Sequence, residues 1–138
     1  MTSPAPVARR PRILTVDDAK AVRLLAHRAL APLGCELSEA TNGYNALFAM
    51  ERALPDLILL DVSMPTMGGL QLLTMMRSNP TLQAIPVVML TSPADHGVMA
   101  QLHQLGIQGH LMKPISEAAL AEKVQAVLGL GPASAASR

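Results

Sequence analysis

Aromatic side chains are nearly missing from this chain. No tryptophan, one tyrosine (Tyr44) and one phenylalanine (Phe48) stand in 138 residues. Recognition of bases or sugars by ring stacking is therefore not expected. Cysteine is just as scarce. Cys35 is alone, so no internal disulfide can form, and we expect a small buried or half-buried thiol in a reducing cytoplasm. No apolar run approaches the roughly 18 residues that span a bilayer, so membrane insertion is not expected. The opening residues MTSPAPVARRPR carry charge without the apolar stretch of a secretory signal. Charge of one sign is lacking too: the net charge is +1, which gives no direct surface for nucleic acid. Arg9, Arg10 and Arg12 read as a solvated lead-in.

What the chain does have is apolar residues, which make up 50% of it, enough to bury one core without covalent staples. Residues 1–11 are rich in Pro and Ala and are expected to be a disordered lead. Residues 130–138 are small and polar and are expected to be a flexible tail. Between them, 12–129 reads as one domain without repeats. Short apolar runs alternate there with stretches of helical period. RILTV (12–16), CELSEA (35–40), LILL (57–60), IPVVML (85–90) and GHLM (109–112) predict five strands. Val22, Leu25, Ala26, Ala29 and Leu33 mark a first helix, and Ala46, Leu47, Met50 and Leu54 a second. Leu70, Leu73 and Met76 mark a third, stopped by Asn79-Pro80. Met99, Leu102 and Leu105 mark a fourth, ended by Gly106. Ser116 caps a fifth, with Leu120, Val124 and Val127 on one face. Strands apolar on both faces need cover on both sides. The expected fold is a parallel α/β sheet with helices on each face. The nine methionines read mainly as core filler.

All strands of a parallel sheet end at one edge, and ligands bind beyond it. The residues at those ends are Asp17 and Asp18, then Thr41 and Asn42, Asp61, Thr91 and Ser92, and Lys113 and Pro114. Three acids, a hydroxyl and an amine thus converge although they lie far apart in the chain. Three carboxylates at close range repel, which a hard divalent cation such as Mg²⁺ relieves. Asp61 at a strand tip is placed to attack phosphorus and carry an acyl phosphate. Mg²⁺ and Lys113 would neutralise the transferred group, and the Thr91 hydroxyl would donate to one of its oxygens. Singly, each residue has a plainer reading. Asp17 or Asp18 could cap the first helix and Asp61 the third, Thr91 could merely close a strand, and Lys113 could be a surface charge. Their joint position at one edge is what points to chemistry.

The pieces ILTVDDAKAVR, LILLDVSMPTMGGL, PVVMLTS and HLMKP, in this order and spacing, resemble the receiver domain of bacterial response regulators, as in the stand-alone chemotaxis regulators. The resemblance covers about residues 12–129. It implies a flavodoxin-like (βα)5 three-layer fold with a parallel five-stranded sheet in the order 2-1-3-4-5. It implies that Asp61 takes a phosphoryl group from a phosphohistidine on a sensor histidine kinase or phosphotransfer protein. Asp17 and Asp18 correspond to the acidic pair at the metal. The Mg²⁺ ligands would be Asp18, Asp61 and the backbone carbonyl of Ser63, with Asp17 acting directly or through water. Thr91 and Lys113 correspond to the switch hydroxyl and the phosphate-binding lysine, and Lys113-Pro114 to a cis peptide. Phosphorylation adds about −1.5 to −2 charges. It should draw Thr91 inward and bias the face formed by the fourth helix, fifth strand and fifth helix, where a downstream protein would dock.

Some positions depart from the family pattern. His110 stands where Tyr or Phe is usual, as a second switch element beside Thr91. It reads either as a tolerated surface change or as a modified, pH-sensitive switch. Ser63 and Pro93 occupy the two positions that tune phosphate lifetime. Ile107 replaces a small residue before the fifth strand. His96, His103 and His110 recur every seven residues but fall on different elements, so a zinc site is not expected. The leading function is a phosphorylation switch of a two-component system, acting by protein docking and not as a turnover enzyme. The chain stops after the fifth helix, which reads as a single-domain regulator or as a receiver cut from a longer protein. One alternative is a docking module that works unphosphorylated, which rests on His110 and Pro93. Another is a haloacid-dehalogenase-type phosphatase, but that class needs a second Asp where Ser63 stands. A flavin or nucleotide carrier would need a Gly-rich loop where VDDAK stands.

Overall fold

The computed structural model describes residues 10–130. The expected lead (1–11) and tail (130–138) fall mostly outside the described residues. Five strands, β1 (Arg12–Val16), β2 (Glu36–Ala40), β3 (Leu57–Asp61), β4 (Val87–Thr91) and β5 (Gly109–Met112), pair in parallel in the order β2-β1-β3-β4-β5. Five helices connect them: α1 (Lys20–Leu30), α2 (Gly43–Arg52), α3 (Gly69–Arg77), α4 (Met99–Leu105) and α5 (Glu117–Leu128). The expected flavodoxin-like topology is the one found.

The apolar runs explain the layers. Every residue of β3 and β4 is buried, as is most of β1. Successive side chains then serve opposite faces. Ile13, Leu57, Leu59, Val88 and Leu90 pack against Ala26, Ala29 and Leu30 of α1 and Leu120 and Val124 of α5. Leu14, Val16, Ile58, Leu60, Val87 and Met89 pack on the other side against Ala46, Met50, Leu72, Leu73, Met76 and Leu102 of α2, α3 and α4. Each fully buried Leu or Ile stabilises by about 1.5–3 kcal/mol relative to leaving it in water. The edge strands β2 and β5 are only partly buried. Cys35 is buried as expected, and burial pushes its thiol up against the opposing pull of Arg10.

Local signals hold at several element ends. Ser116 caps α5 by accepting from the Ala119 N–H, and Asn42 caps α2 by accepting from the Asn45 N–H. Asn42 and Thr41, at the end of β2, thus serve structure. Some boundaries and elements differ from expectation. α1 ends at Leu30, and Leu33 falls in a short 3₁₀ turn, Ala31–Leu33, that precedes Gly34. α2 stops at Arg52, because Ala53 turns extended, and Leu54 lies outside the helix and exposed. β4 begins at Val87, two residues late, because Pro86 offers no N–H to the ladder. A 3₁₀ segment, Pro93–Val98, precedes α4 where no element was expected. Ile107 is accommodated by packing against the α2–α4 side of the core. Tyr44 and Phe48 both project from α2 into solvent, 50% and 65% exposed. Lys113-Pro114 is cis, as expected.

Candidate functional site

The ends of β1, β3, β4 and β5 lie side by side, and the register brings their tips level. Val16 pairs with Leu60, Asp61 with Leu90, and Thr91 with Met112. Asp17 follows β1, Asp61 and Thr91 close β3 and β4, and Lys113 follows β5. The Lys113 ammonium sits 2.8 Å from Asp17 Oδ2 and donates to Asp61 Oδ1 at 3.0 Å. It therefore spans the outer strand and the two central ones. Asp17 is 0% exposed and Asp61 4%, while Asp18 is open to solvent.

Local structure holds each acid in place. The Asp17 Oδ1 accepts from the Ala19 N–H at 2.8 Å, and the Asp17 main-chain carbonyl accepts from Arg23 at 2.9 Å. Asp17 thereby orders the turn into α1, and α1 itself starts without a side-chain cap. Asp61 does not cap α3, whose N-cap is Gly68. The second glycine of MPTMGG is required by its position. The Gly69 N–H donates to the Val62 carbonyl at 2.9 Å, which brings its Cα against the strand end. A Cβ on Gly69 would collide with the Asp61 carbonyl oxygen. Gly69→Ala is expected to lower stability by about 1–3 kcal/mol, because the colliding partner is backbone and cannot swing away. The urea midpoint measures this, and an unchanged midpoint would contradict the close approach.

Burial pushes the Asp61 carboxyl up. The Lys113 hydrogen bond opposes this, the charges of Asp17 and Asp18 add to it, and the carboxyl titrates at about 6. Burial alone would lower Lys113, but the nearby carboxylates of Asp17 and Asp61 outweigh that and hold it above its ordinary value. Both shifts describe one crowded site with more negative charge than a single ammonium neutralises. One carboxylate oxygen from each of Asp17, Asp18 and Asp61 lies within 4.8 Å of the others. Asp17 Oδ2 is buried and accepts no well-formed hydrogen bond among the described residues, although the ammonium is close. Three carboxylates, an under-satisfied buried oxygen and solvent access at Asp18 fit a hard divalent cation that keeps some of its waters.

Thr91 is buried, and its hydroxyl donates to the Leu111 carbonyl at 3.3 Å, a long bond that is easily exchanged. His110 lies exposed on β5, with its ring edge-on to His103 at 5.9 Å. His96, His103 and His110 come from the 3₁₀ segment, α4 and β5, yet all three line one cleft with Thr91. Among the described residues, three convergent metal-ligating groups occur only at Asp17, Asp18 and Asp61.

Sequence reasoning missed Asp95. This buried acid accepts from the Ser92 N–H at 2.7 Å and from the Ser63 hydroxyl at 3.0 Å. Its signal was present as Ser92-x-x-Asp95, the spacing of a capping box at a helix start.

Residues 13–125 match the family model described as the response regulator receiver domain. Chemotaxis protein CheY-3 of Vibrio cholerae is 32% identical over 117 residues, covering 84% of this chain and 90% of that protein. Response regulator PleD of Caulobacter vibrioides is 40% identical over 117 residues, and sensor protein GacS of Pseudomonas syringae pv. syringae is 37% identical over 126. The matches cover 84% and 89% of this chain, but only 26% of PleD and 14% of GacS. Among solved structures, CheY4 of Vibrio cholerae superposes with a TM-score of 0.79 at 28% identity, covering 86% of this chain and 99% of that one. The receiver domain of NtrX from Brucella abortus superposes with a TM-score of 0.77 at 26% identity, covering 86% and 99%.

Proposed function

Because this chain belongs to the response regulator receiver domain family of two-component signalling, we propose that its Asp61 accepts a phosphoryl group from a phosphohistidine. The donor is a sensor histidine kinase or phosphotransfer protein. The phosphorylated chain then signals by docking a protein on the α4–β5–α5 face. The unit that does this runs over residues 12–129. It works as a phosphoacceptor and not as an enzyme with turnover, in the cytoplasm. Among the described residues no helix is long and apolar enough to cross a membrane. The reading rests above all on Lys113, whose ammonium bridges two buried carboxylates at the sheet edge.

The chemistry follows from this arrangement. Asp61 presents a carboxylate at a rigid strand tip. One of its oxygens attacks phosphorus while the phosphorus–nitrogen bond of the donor breaks, and the imidazole leaves with the electron pair. Lys113 stays beside Asp61 and offsets the charge gathering on the phosphoryl oxygens. The Thr91 hydroxyl exchanges the Leu111 carbonyl for a phosphoryl oxygen, and the loop after β4 moves with it. Asp17, Asp18, Asp61 and the Ser63 backbone carbonyl would hold Mg²⁺, which when bound supplies positive charge to the same oxygens. His110 would follow Thr91 in place of the usual ring, through the cleft that both line.

Incubating the protein with acetyl phosphate and Mg²⁺ and weighing it intact tests the reading. One added phosphoryl group, labile to hydroxylamine, is expected. Chelation with EDTA should slow uptake about tenfold or more, since one cation then faces three carboxylates and a phosphate. No gain in mass would overturn the reading, and so would steady hydrolysis of a simple phosphate monoester.

A further inference from the structure

Asp95 has no part in the chemistry above, yet it is a carboxylate only 6% exposed. Its oxygens accept three hydrogen bonds. Oδ1 takes the Ser63 hydroxyl at 3.0 Å, and Oδ2 takes the Ser92 N–H at 2.7 Å and the Ser92 hydroxyl at 3.2 Å. The two serines lie on different loops. Ser63 is two residues beyond Asp61, in the loop that leads to α3. Ser92 directly follows Thr91, in the loop that opens the 3₁₀ segment. One buried acid therefore ties together the loops on either side of the phosphoryl site. Bonds to an ionised acceptor are the stronger kind, and leaving a buried carboxylate unsatisfied is costly. The tie is thus stiff compared with a neutral turn.

We propose that Asp95 is a positioning residue that sets how long Asp61 stays phosphorylated, by holding the Ser63 hydroxyl. The inference rests on the phosphoacceptor reading of Asp61. In the loss step, the oxygen of a water forms a bond to phosphorus as the bond from phosphorus to the Asp61 oxygen breaks. The water's proton passes to solvent, inorganic phosphate leaves and the carboxylate is restored. The rate depends on whether a water is held in line. Ser63 is the hydroxyl nearest in the chain to the reacting carboxylate on this loop, and its proton is committed to Asp95. On the facing loop Pro93 has no side-chain donor. With Asp95 in place, the hydroxyls of Ser63 and Ser92 are both committed to it, and neither is free to orient the water. Without it, Ser63 is released to do so.

The test labels the full chain with acetyl phosphate and Mg²⁺, removes the donor by rapid desalting, and follows loss of the phosphoryl group by intact mass. Asp95→Ala should take up the group at a rate within about twofold of the parent, yet lose it about threefold faster or more. In a Ser63→Ala background the same change should alter the loss by less than about 1.5-fold, because the hydroxyl it would release is gone. Asp95→Asn still accepts from the Ser92 N–H, but its amide then donates to the Ser63 oxygen and leaves the Ser63 proton free, so its loss should be accelerated like that of Asp95→Ala. Equal acceleration in both backgrounds would make Asp95 a loop staple only and overturn the proposal. Equal loss in parent and Asp95→Ala would overturn it as well. A thermal melt checks folding. Should Asp95→Ala not fold, Asp95→Ser, too short to hold both loops, takes its place with the same outcomes. A parent that takes up no phosphoryl group would sink the phosphoacceptor reading itself, and uptake followed by uniform loss across the variants would sink only the role of Asp95.

Discussion

Asp61→Asn is expected to take up no phosphoryl group from acetyl phosphate and yet to be more stable than its parent at neutral pH. Loss of uptake follows because an amide is no nucleophile toward phosphorus. The gain in stability follows from the titration. The carboxyl titrates at about 6 in the metal-free fold, against an ordinary value of 3.8. A raised value means that the fold prefers the protonated form. The stability this brings is complete at acid pH and is lost as pH rises through about 6. Above that, a charged Asp61 costs the fold roughly 1–3 kcal/mol, which the neutral amide does not. Calorimetric melts of the two proteins should agree near pH 4, diverge as pH rises to 7, and run parallel beyond. Adding Mg²⁺ should narrow the gap, since a cation at the carboxylate favours its charged form. Uptake by the parent should fall below about pH 6 as the nucleophile is protonated, with the fall moved to lower pH when Mg²⁺ is saturating. A gap in melting temperature that did not vary with pH would contradict the strain assigned to Asp61.

The second large effect is expected at Lys113. Its ammonium is the close cation for a carboxylate at 0% exposure and another at 4%. Removing one partner of a buried ionic group leaves uncompensated charge, which costs about 3–5 kcal/mol. Lys113→Ala should therefore melt well below the parent in EDTA. Mg²⁺ should restore much of the loss, because it can neutralise the same oxygens. Lys113→Met keeps most of the apolar stem and separates lost packing from lost charge. Phosphoryl uptake in saturating Mg²⁺ should still be slower by about 10²-fold, the scale of removing one preorganised charge stabiliser. A Lys113→Ala protein as stable as the parent in EDTA would show that Asp17 and Asp61 find their compensation elsewhere.

Much of this was legible from the chain alone, for a physical reason. The runs LILL and IPVVML are apolar without a polar face, and RILTV is a short, largely apolar run. Only a sheet covered on both sides accepts such strands, and a parallel sheet aligns their ends. Asp17, Asp61, Thr91 and Lys113 therefore had to meet whatever the loops did. The parts that could not be read depend on contacts without a period. The 3₁₀ segment Pro93–Val98 is too short to display one, so Asp95 was passed over although its capping spacing is plain in the sequence. The need for glycine at position 69 is the close approach of its Cα to the Asp61 carbonyl, a contact between backbone segments that leaves no periodic signal. Arg77 donates to the carbonyls of Gln83, Ile85, Leu105 and Gly106, tying α3 to the end of α4. Nothing in the spacing of Arg77 foretells partners that lie up to 29 residues away. His96, His103 and His110 fall on different elements, and only the fold brings them to one cleft beside Thr91.

Tyr44 and Phe48 turn outward from α2, and the packed interior holds no aromatic ring of Phe, Tyr or Trp. Near-ultraviolet circular dichroism depends on aromatic groups held in asymmetric surroundings. Here it should be almost featureless even though the core is ordered, and by that criterion alone the protein would be mistaken for a molten globule. Ultraviolet absorbance will likewise understate its concentration. Methyl resonances from the dense Leu, Ile and Val layers, and not aromatic optics, are the spectroscopic window onto this fold.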